Sequence, residues 1–354
     1  MRKSGRMVRD MKLALAPMAT LSHEALRLLI HRYADPDEYY SEMIHAPSYV
    51  AGGKFEPYYV KTAPCPERMV WQITGSEAGP IARAAAMIAP LGGLGVDLNM
   101  GCSAPDIARH GAGIAWMLKD IGETANLVSQ VRNALDREGH SRGPDGSAYR
   151  LGVKLRLGAE EDGERLLRFC RALIGEGVTQ ITLHPRTKAE KYGRPARWRF
   201  VADLARELPV PVYGNGDVFS ASDALAIENA WADSGIAGLM IGRGAVTRPW
   251  LFRDIFRARA SSPAAPAGAP FTAPSPEPID HLEVARFFLE ALRTAQPPEF
   301  QISRARRFFY YYCDNFTFAH HVKMKAQNAQ TPEEIGGLLE SYFSEVPNDR
   351  YLYF

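Results

Sequence analysis

Cysteine is scarce: Cys65, Cys102, Cys170 and Cys313 are the four in 354 residues, and no CxxC pair is among them. That scatter excludes a disulfide framework and finger-type zinc sites, and points to a reducing compartment. Long apolar runs are also lacking. No window approaches the roughly 20 residues of a transmembrane helix. The apolar run Leu13-Ala14-Leu15-Ala16 follows basic residues up to Lys12, but it is too short for a signal-peptide core. His23-Glu24 and Arg27 come next without a cleavage pattern. A soluble cytoplasmic protein with no membrane partner is expected. Charge of one sign is absent, since 42 Lys and Arg against 40 Asp and Glu leave +2. Any nucleic-acid surface must therefore arise from local clustering.

Hydrophobic residues make up 46% of the chain and charged residues 23%, enough for a large core. Short β-type runs alternate with helical patterns about eight times. The predicted strands are 13–16, 39–43, 69–73, 95–99, 151–157, 180–184, 211–214 and 238–241; helical patterns include 22–33, 77–89, 123–138, 162–176 and 222–228. Strands apolar throughout, most followed by a helix, indicate a parallel sheet covered by helices. Eight such units in roughly 250 residues fit a (β/α)8 TIM barrel spanning 1–260. A doubly wound open sheet is the competitor, but no GxGxxG follows the first strand. Six prolines then fall in 261–278, which reads as a linker. From 279 to 354 the patterns are helical, with Asp280 three residues before Glu283 as a cap, so a smaller all-helical C-terminal domain is expected.

Asp97-Leu98-Asn99-Met100-Gly101-Cys102 is the most informative stretch. It places a thiol at the carboxyl end of a buried strand, where parallel α/β sheets bind ligands. Other strand ends carry unusual groups as well. The first ends in Ala16-Pro17-Met18-Ala19, the third in Gln72 and Gly75, and the fifth holds Lys154 and Arg156 in an apolar run. The sixth ends in His184-Pro185-Arg186-Thr187, the seventh in Gly214-Asn215-Gly216-Asp217, the eighth in Gly242-Arg243-Gly244. Each alone has an ordinary explanation: Lys154 as a rim ion pair, His184 as a core histidine, Asn215-Gly216 as a turn. A barrel gathers all of them around one mouth, which is why their recurrence counts.

The pieces suit flavin mononucleotide. Glycine turns after strands seven and eight, with Arg243, form the usual phosphate site of such barrels. Backbone at Pro17–Ala19 and the Gln72 amide would bond the ring edge, while Lys154 and His184 would supply positive charge beside a reduced flavin. An ordinary thiol is mostly protonated near pH 7, so a cysteine here can act as a proton donor.

These motifs closely resemble the tRNA-dihydrouridine synthases. Ala-Pro-Met, Asn-x-Gly-Cys, Lys-Leu-Arg, His-x-Arg-Thr, Gly-Asn-Gly-Asp and Gly-Arg-Gly occur in that family's order and spacing over nearly the whole barrel, and the tail resembles its tRNA-recognition domain. The resemblance implies an FMN enzyme that reduces the C5=C6 bond of particular tRNA uridines, with NADPH as electron donor. It assigns Pro17, Met18, Ala19, Gln72, Lys154, Asn215, Gly216, Asp217, Gly242 and Arg243 to FMN, with His184 nearby. It makes Cys102 the proton donor and sets Asn99 and Arg186 against the uracil. One departure stands out: the family has Pro directly after the cysteine, whereas this chain reads Cys102-Ser103-Ala104-Pro105.

The tail carries five cations in 301–325, Arg304, Arg306, Arg307, Lys323 and Lys325, against Asp314, interleaved with aromatics. A helical core with a solvated basic face is the ordinary account. The resemblance favours a tRNA phosphate surface. No metal is expected, and the chain is expected to act as a monomer. Competing functions are a flavin barrel acting on a free pyrimidine, a non-catalytic tRNA-binding protein, and a Schiff-base aldolase using Lys154. Turnover of free uracil compounds, a colourless inert tRNA binder, and borohydride trapping of a carbonyl substrate would distinguish them.

Overall fold

A computed structural model describes residues 10–143, 146, 148–261 and 277–353. Most of the expected linker, 262–276, lies outside the described residues. Eight parallel strands are β1 (Lys12–Leu15), β2 (Glu38–Tyr40), β3 (Met69–Thr74), β4 (Gly95–Met100), β5 (Arg150–Leu155), β6 (Gln180–Leu183), β7 (Val212–Asn215) and β8 (Gly238–Ile241). Each pairs with the next, and β8 returns to β1 with Lys12 opposite Gly238, so the sheet closes. The pair Ile44–His45 flanks the end of β3. The chain is a (β/α)8 barrel with a helical C-terminal region.

Side-chain alternation divides the packing in two. On β5, Leu151, Val153 and Leu155 belong to the layer between strands and helices. Ala14, Ala16, Tyr40, Val70, Tyr213 and Met240 form a separate cluster, the apolar filling inside the barrel. Beside it Glu38 accepts both guanidinium nitrogens of Arg150 at 2.8 and 2.9 Å, and the Tyr213 hydroxyl at 2.8 Å. This plug closes the barrel interior and leaves the carboxyl ends of the strands to form an open mouth.

The second strand is shorter than the pattern 39–43 suggests, for a physical reason. After Tyr40 the chain bends so that Glu42 can accept the Thr20 backbone N–H at 2.6 Å and pair with Arg304 at 2.6 Å. The tail helices are His281–Ala295, Pro298–Tyr312, Ala319–Asn328 and Pro332–Glu345. They are not the whole of it: Ile279–Asp280 pairs antiparallel with Tyr351–Leu352, and Arg350 bonds Asp280 at 2.9 Å. Two-residue strands carry no periodicity to read. Phe288 stacks on Phe308 at 3.7 Å and Phe308 on Tyr312 at 5.1 Å, so most tail aromatics are core. The tail docks on the barrel through Arg304–Glu42, through Asn315 donating to the Thr247 carbonyl at 2.7 Å, and through Trp250 set edge-on against His281.

Candidate active site

The strand ends enclose a cavity of about 450 Å³. Every barrel residue assigned to the flavin, the uracil or proton donation lines it: Pro17, Met18 and Ala19 after β1, Gln72 on β3, Asn99 and Cys102 from β4, Lys154 on β5, His184 and Arg186 after β6, Asn215, Gly216 and Asp217 from β7, and Gly242 and Arg243 after β8. Arg156, noted beside Lys154 but given no role, also lines it, as does Tyr311 of the basic-aromatic tail; sequence reasoning missed Lys191, Tyr192 and Phe219. Arg156 had a signal, because it follows Lys154 at inward spacing. Tyr192 and Phe219 sit in loops and carry no pattern. The charged lining comprises six cations and one carboxylate, Asp217, so the site attracts anions.

Cys102 is a free, half-buried thiol at the mouth. The Asn99 side chain holds its loop, with Oδ1 accepting the Gly101 and Cys102 backbone N–H groups at 3.2 and 3.0 Å. The Cys102 carbonyl accepts from the Ile114 N–H at 3.0 Å, and a Cβ at Gly113 would sit 2.6 Å from that carbonyl. The departure Ser103-Ala104-Pro105 therefore falls in a pinned loop: Pro105 opens the helix Pro105–Arg109, and all three residues face the cavity.

Burial, then Arg156, lowers the Lys154 ammonium to about 8, while Asp97 and Cys102 oppose the shift. It stays largely charged at neutral pH. His184 behaves otherwise. Burial lowers it well below its ordinary value, aided by Lys154, Arg156 and Arg186. Its Nε2 lies 2.9 Å from Arg186 Nη1, and an arginine can only donate, so Nε2 accepts. The imidazole is neutral, which corrects the expectation of a positive charge there.

Arg186 is heavily engaged. Its Nε donates to the Arg194 carbonyl, and its Nη2 holds both Asp217 oxygens, one at 2.7 Å. Asp217, at a left-handed φ of 57°, also accepts the Ala196 N–H at 2.6 Å. Its carboxylate thus braces Arg186. Arg243 differs: among the described residues its guanidinium meets only ring faces, Tyr192 at 4.1 Å and Phe219 at 5.4 Å. That leaves its N–H fork for an anion.

The tail cations separate. Arg304 is buried against Glu42, so it is withdrawn from the phosphate surface. Arg306 bonds the Ala329 carbonyl at 2.8 Å and Lys323 pairs with Asp314. Arg307 is exposed at the cavity rim with Tyr311, and Lys325 is exposed on the next helix. His31, Asp35 and Cys65 bring three possible metal-ligand atoms within 4.8 Å. They belong to the amino-end side of the barrel, and Asp35 already accepts from Tyr39 at 2.6 Å. Among the described residues no helix is long and apolar enough to cross a membrane.

Comparison with known proteins agrees with this geometry. The profile of the family Dihydrouridine synthase (Dus) matches residues 14–346. A tRNA-dihydrouridine(16) synthase of Neisseria meningitidis serogroup B is 28% identical over 95% of this chain and 96% of its own. Another, from Cupriavidus necator, is 33% identical over 68% and 72% of the two chains. The mouse tRNA-dihydrouridine(47) synthase [NAD(P)(+)]-like protein is 30% identical over 69% of this chain and 36% of its own.

Proposed function

Because the chain belongs to the dihydrouridine synthase family, we propose that it reduces the C5=C6 bond of a tRNA uridine with FMN as flavin, NADPH as electron donor and Cys102 as proton donor. The observation that carries this reading is the placement of a free thiol in a cation-rich cavity at the carboxyl mouth of the barrel. The donor set suits FMN. Gln72 Nε2 uses one hydrogen on Asp97 and keeps a second for a ring edge, Lys154 brings a charge, and Arg243 keeps its fork for a phosphate. Bound and reduced, FMN would supply hydride to uracil C6.

The chain's own groups do the rest. Negative charge then builds toward the uracil carbonyl oxygens, and the cationic wall stabilises it. Cys102 gives its Sγ proton to C5, and the resulting thiolate regains a proton from solvent through the open mouth. Neutral His184 and Asp217 hold the Arg186 fork in place. Its remaining N–H is the group left for the uracil.

Position 16 of tRNA is the proposed target, because the relative matching through the tail carries that number in its name. Mapping dihydrouridine in tRNA from cells lacking the protein tests this: loss at position 16 supports it, and loss elsewhere reassigns the target. Flavin released by acid from the purified protein is expected to be FMN; stoichiometric FAD would refute the cofactor assignment.

The surviving tail cations make a second expectation. Arg307→Ala with Lys325→Ala weakens tRNA binding and flattens its salt dependence by about 0.7–0.9 in log–log slope per lost phosphate contact. The flavin spectrum stays unchanged. An unaltered affinity and slope would place the RNA surface elsewhere.

A further inference from the structure

We propose that Asp97 is the positioning residue of the thiol loop, fixing the direction of the two amides that hold the Cys102 backbone. This rests on the functional reading above for its consequence, though not for its geometry. Four hydrogen bonds form one chain. Gln72 Nε2 donates to Asp97 Oδ2 at 2.7 Å, and Asn99 Nδ2 donates to Gln72 Oε1 at 2.9 Å. Asn99 Oδ1 then accepts the Gly101 and Cys102 N–H groups at 3.2 and 3.0 Å. Asp97, Gln72 and Asn99 are all buried.

An amide side chain can be turned end for end with little change in shape, so its direction must be set by a group that is not reversible. A carboxylate only accepts. Asp97 at one end and the Gly101 and Cys102 N–H donors at the other therefore impose the same direction: Gln72 presents its oxygen to Asn99, and Asn99 its own oxygen to the loop. Reversed, Asn99 would point N–H groups at two backbone N–H groups, and the thiol loop would lose its acceptor. Asp97 has room for this task because residue 152 is glycine: a Cβ there would lie 2.7 Å from Asp97 Oδ1. That oxygen has no partner among the described residues, which directs the carboxylate's hydrogen bonding at Gln72.

The arrangement is sensitive to protons. Burial pushes the Asp97 carboxyl up to about 7; Glu38 adds to this, while the Gln72 hydrogen bond, Lys154 and Arg150 oppose it. Glu38 and Tyr40 face it from β2, Gln72 from β3, and Arg150 and Lys154 from β5. Once protonated, Asp97 can donate as well as accept, so it no longer holds Gln72 to one direction and the chain is fixed from its loop end alone. The carboxylate end of the lock strengthens as pH rises and weakens as pH falls through this raised value.

Asp97→Asn tests this, because a third amide accepts either direction. Hydrogen exchange of residues 99–104, followed by mass spectrometry, reads the lock without reference to activity. At pH 8 the variant is expected to lose about tenfold protection there. The wild type, corrected for intrinsic exchange, is expected to lose protection on going from pH 8 to pH 6. Transfer from reduced flavin to tRNA should slow roughly 10–100-fold in the variant and lose its acid limb. Wild-type protection in the variant at pH 8, or no pH effect in the wild type, overturns the proposal. The wild-type pH series stands even if the variant fails to fold. If the wild type reduces no uridine but the exchange results hold, the functional reading fails and the lock survives.

Discussion

Cys102→Ala is expected to abolish nearly all uridine reduction, with a loss of about 10²–10⁴-fold for removal of one general acid. The thiol is half-buried at the mouth, and nothing in its loop depends on the sulfur: the loop is held through backbone groups by Asn99 and Ile114. Flavin binding and tRNA affinity should persist in the variant. Stopped-flow reduction by NADPH should match wild type, because the thiol acts only after hydride transfer. Rapid-quench measurement of dihydrouridine should show the defect. Normal turnover would move the proton donor to Ser103 or to water.

The second large effect is on stability. Arg304 and Glu42 are both almost fully buried and lie 2.6 Å apart across the junction of tail and barrel. Breaking such a pair from one side leaves an uncompensated charge and costs about 3–5 kcal/mol. Arg304→Ala should therefore lower the urea midpoint substantially at saturating FMN. It also removes a guanidinium from the Phe300 face, 4.8 Å away. The deficit should depend on pH in a defined direction. Burial raises Glu42 and Arg304 pulls it back, so in the variant the folded-state value rises further above the unfolded one. The variant then binds more protons folded than unfolded, and its stability falls as pH rises through that window. Its gap from wild type should widen as pH rises above the ordinary carboxylate range. A small deficit, or one that ignores pH, would mean the junction does not rely on this pair.

The barrel and its mouth were legible because strand ends in a closed parallel sheet must converge. A polar or glycine residue ending an apolar run is visible locally, as with Asn99, His184 and Asn215. What was illegible depends on partners distant in sequence. Arg304 looked like one more cation in a basic run, since its partner Glu42 lies 262 residues away. His184 reads as a source of charge in the sequence alone, whereas the Arg186 N–H donated to its Nε2 makes it an acceptor. Tyr192 and Phe219 entered the wall through loops whose course no periodicity records.

The helix Pro298–Tyr312 carries Arg304, Arg307 and Tyr311, one bolted into the barrel and the others at the cavity rim. With a rise of about 1.5 Å per residue, Arg304 and Tyr311 stand roughly 10 Å apart along its axis. The anchor and the rim contact thus belong to a single rigid ruler, clamped at a fixed offset from Cys102. On the proposed function, a nucleic acid held at that rim would present the base lying at the matching arc length, so the choice of uridine would turn on distance.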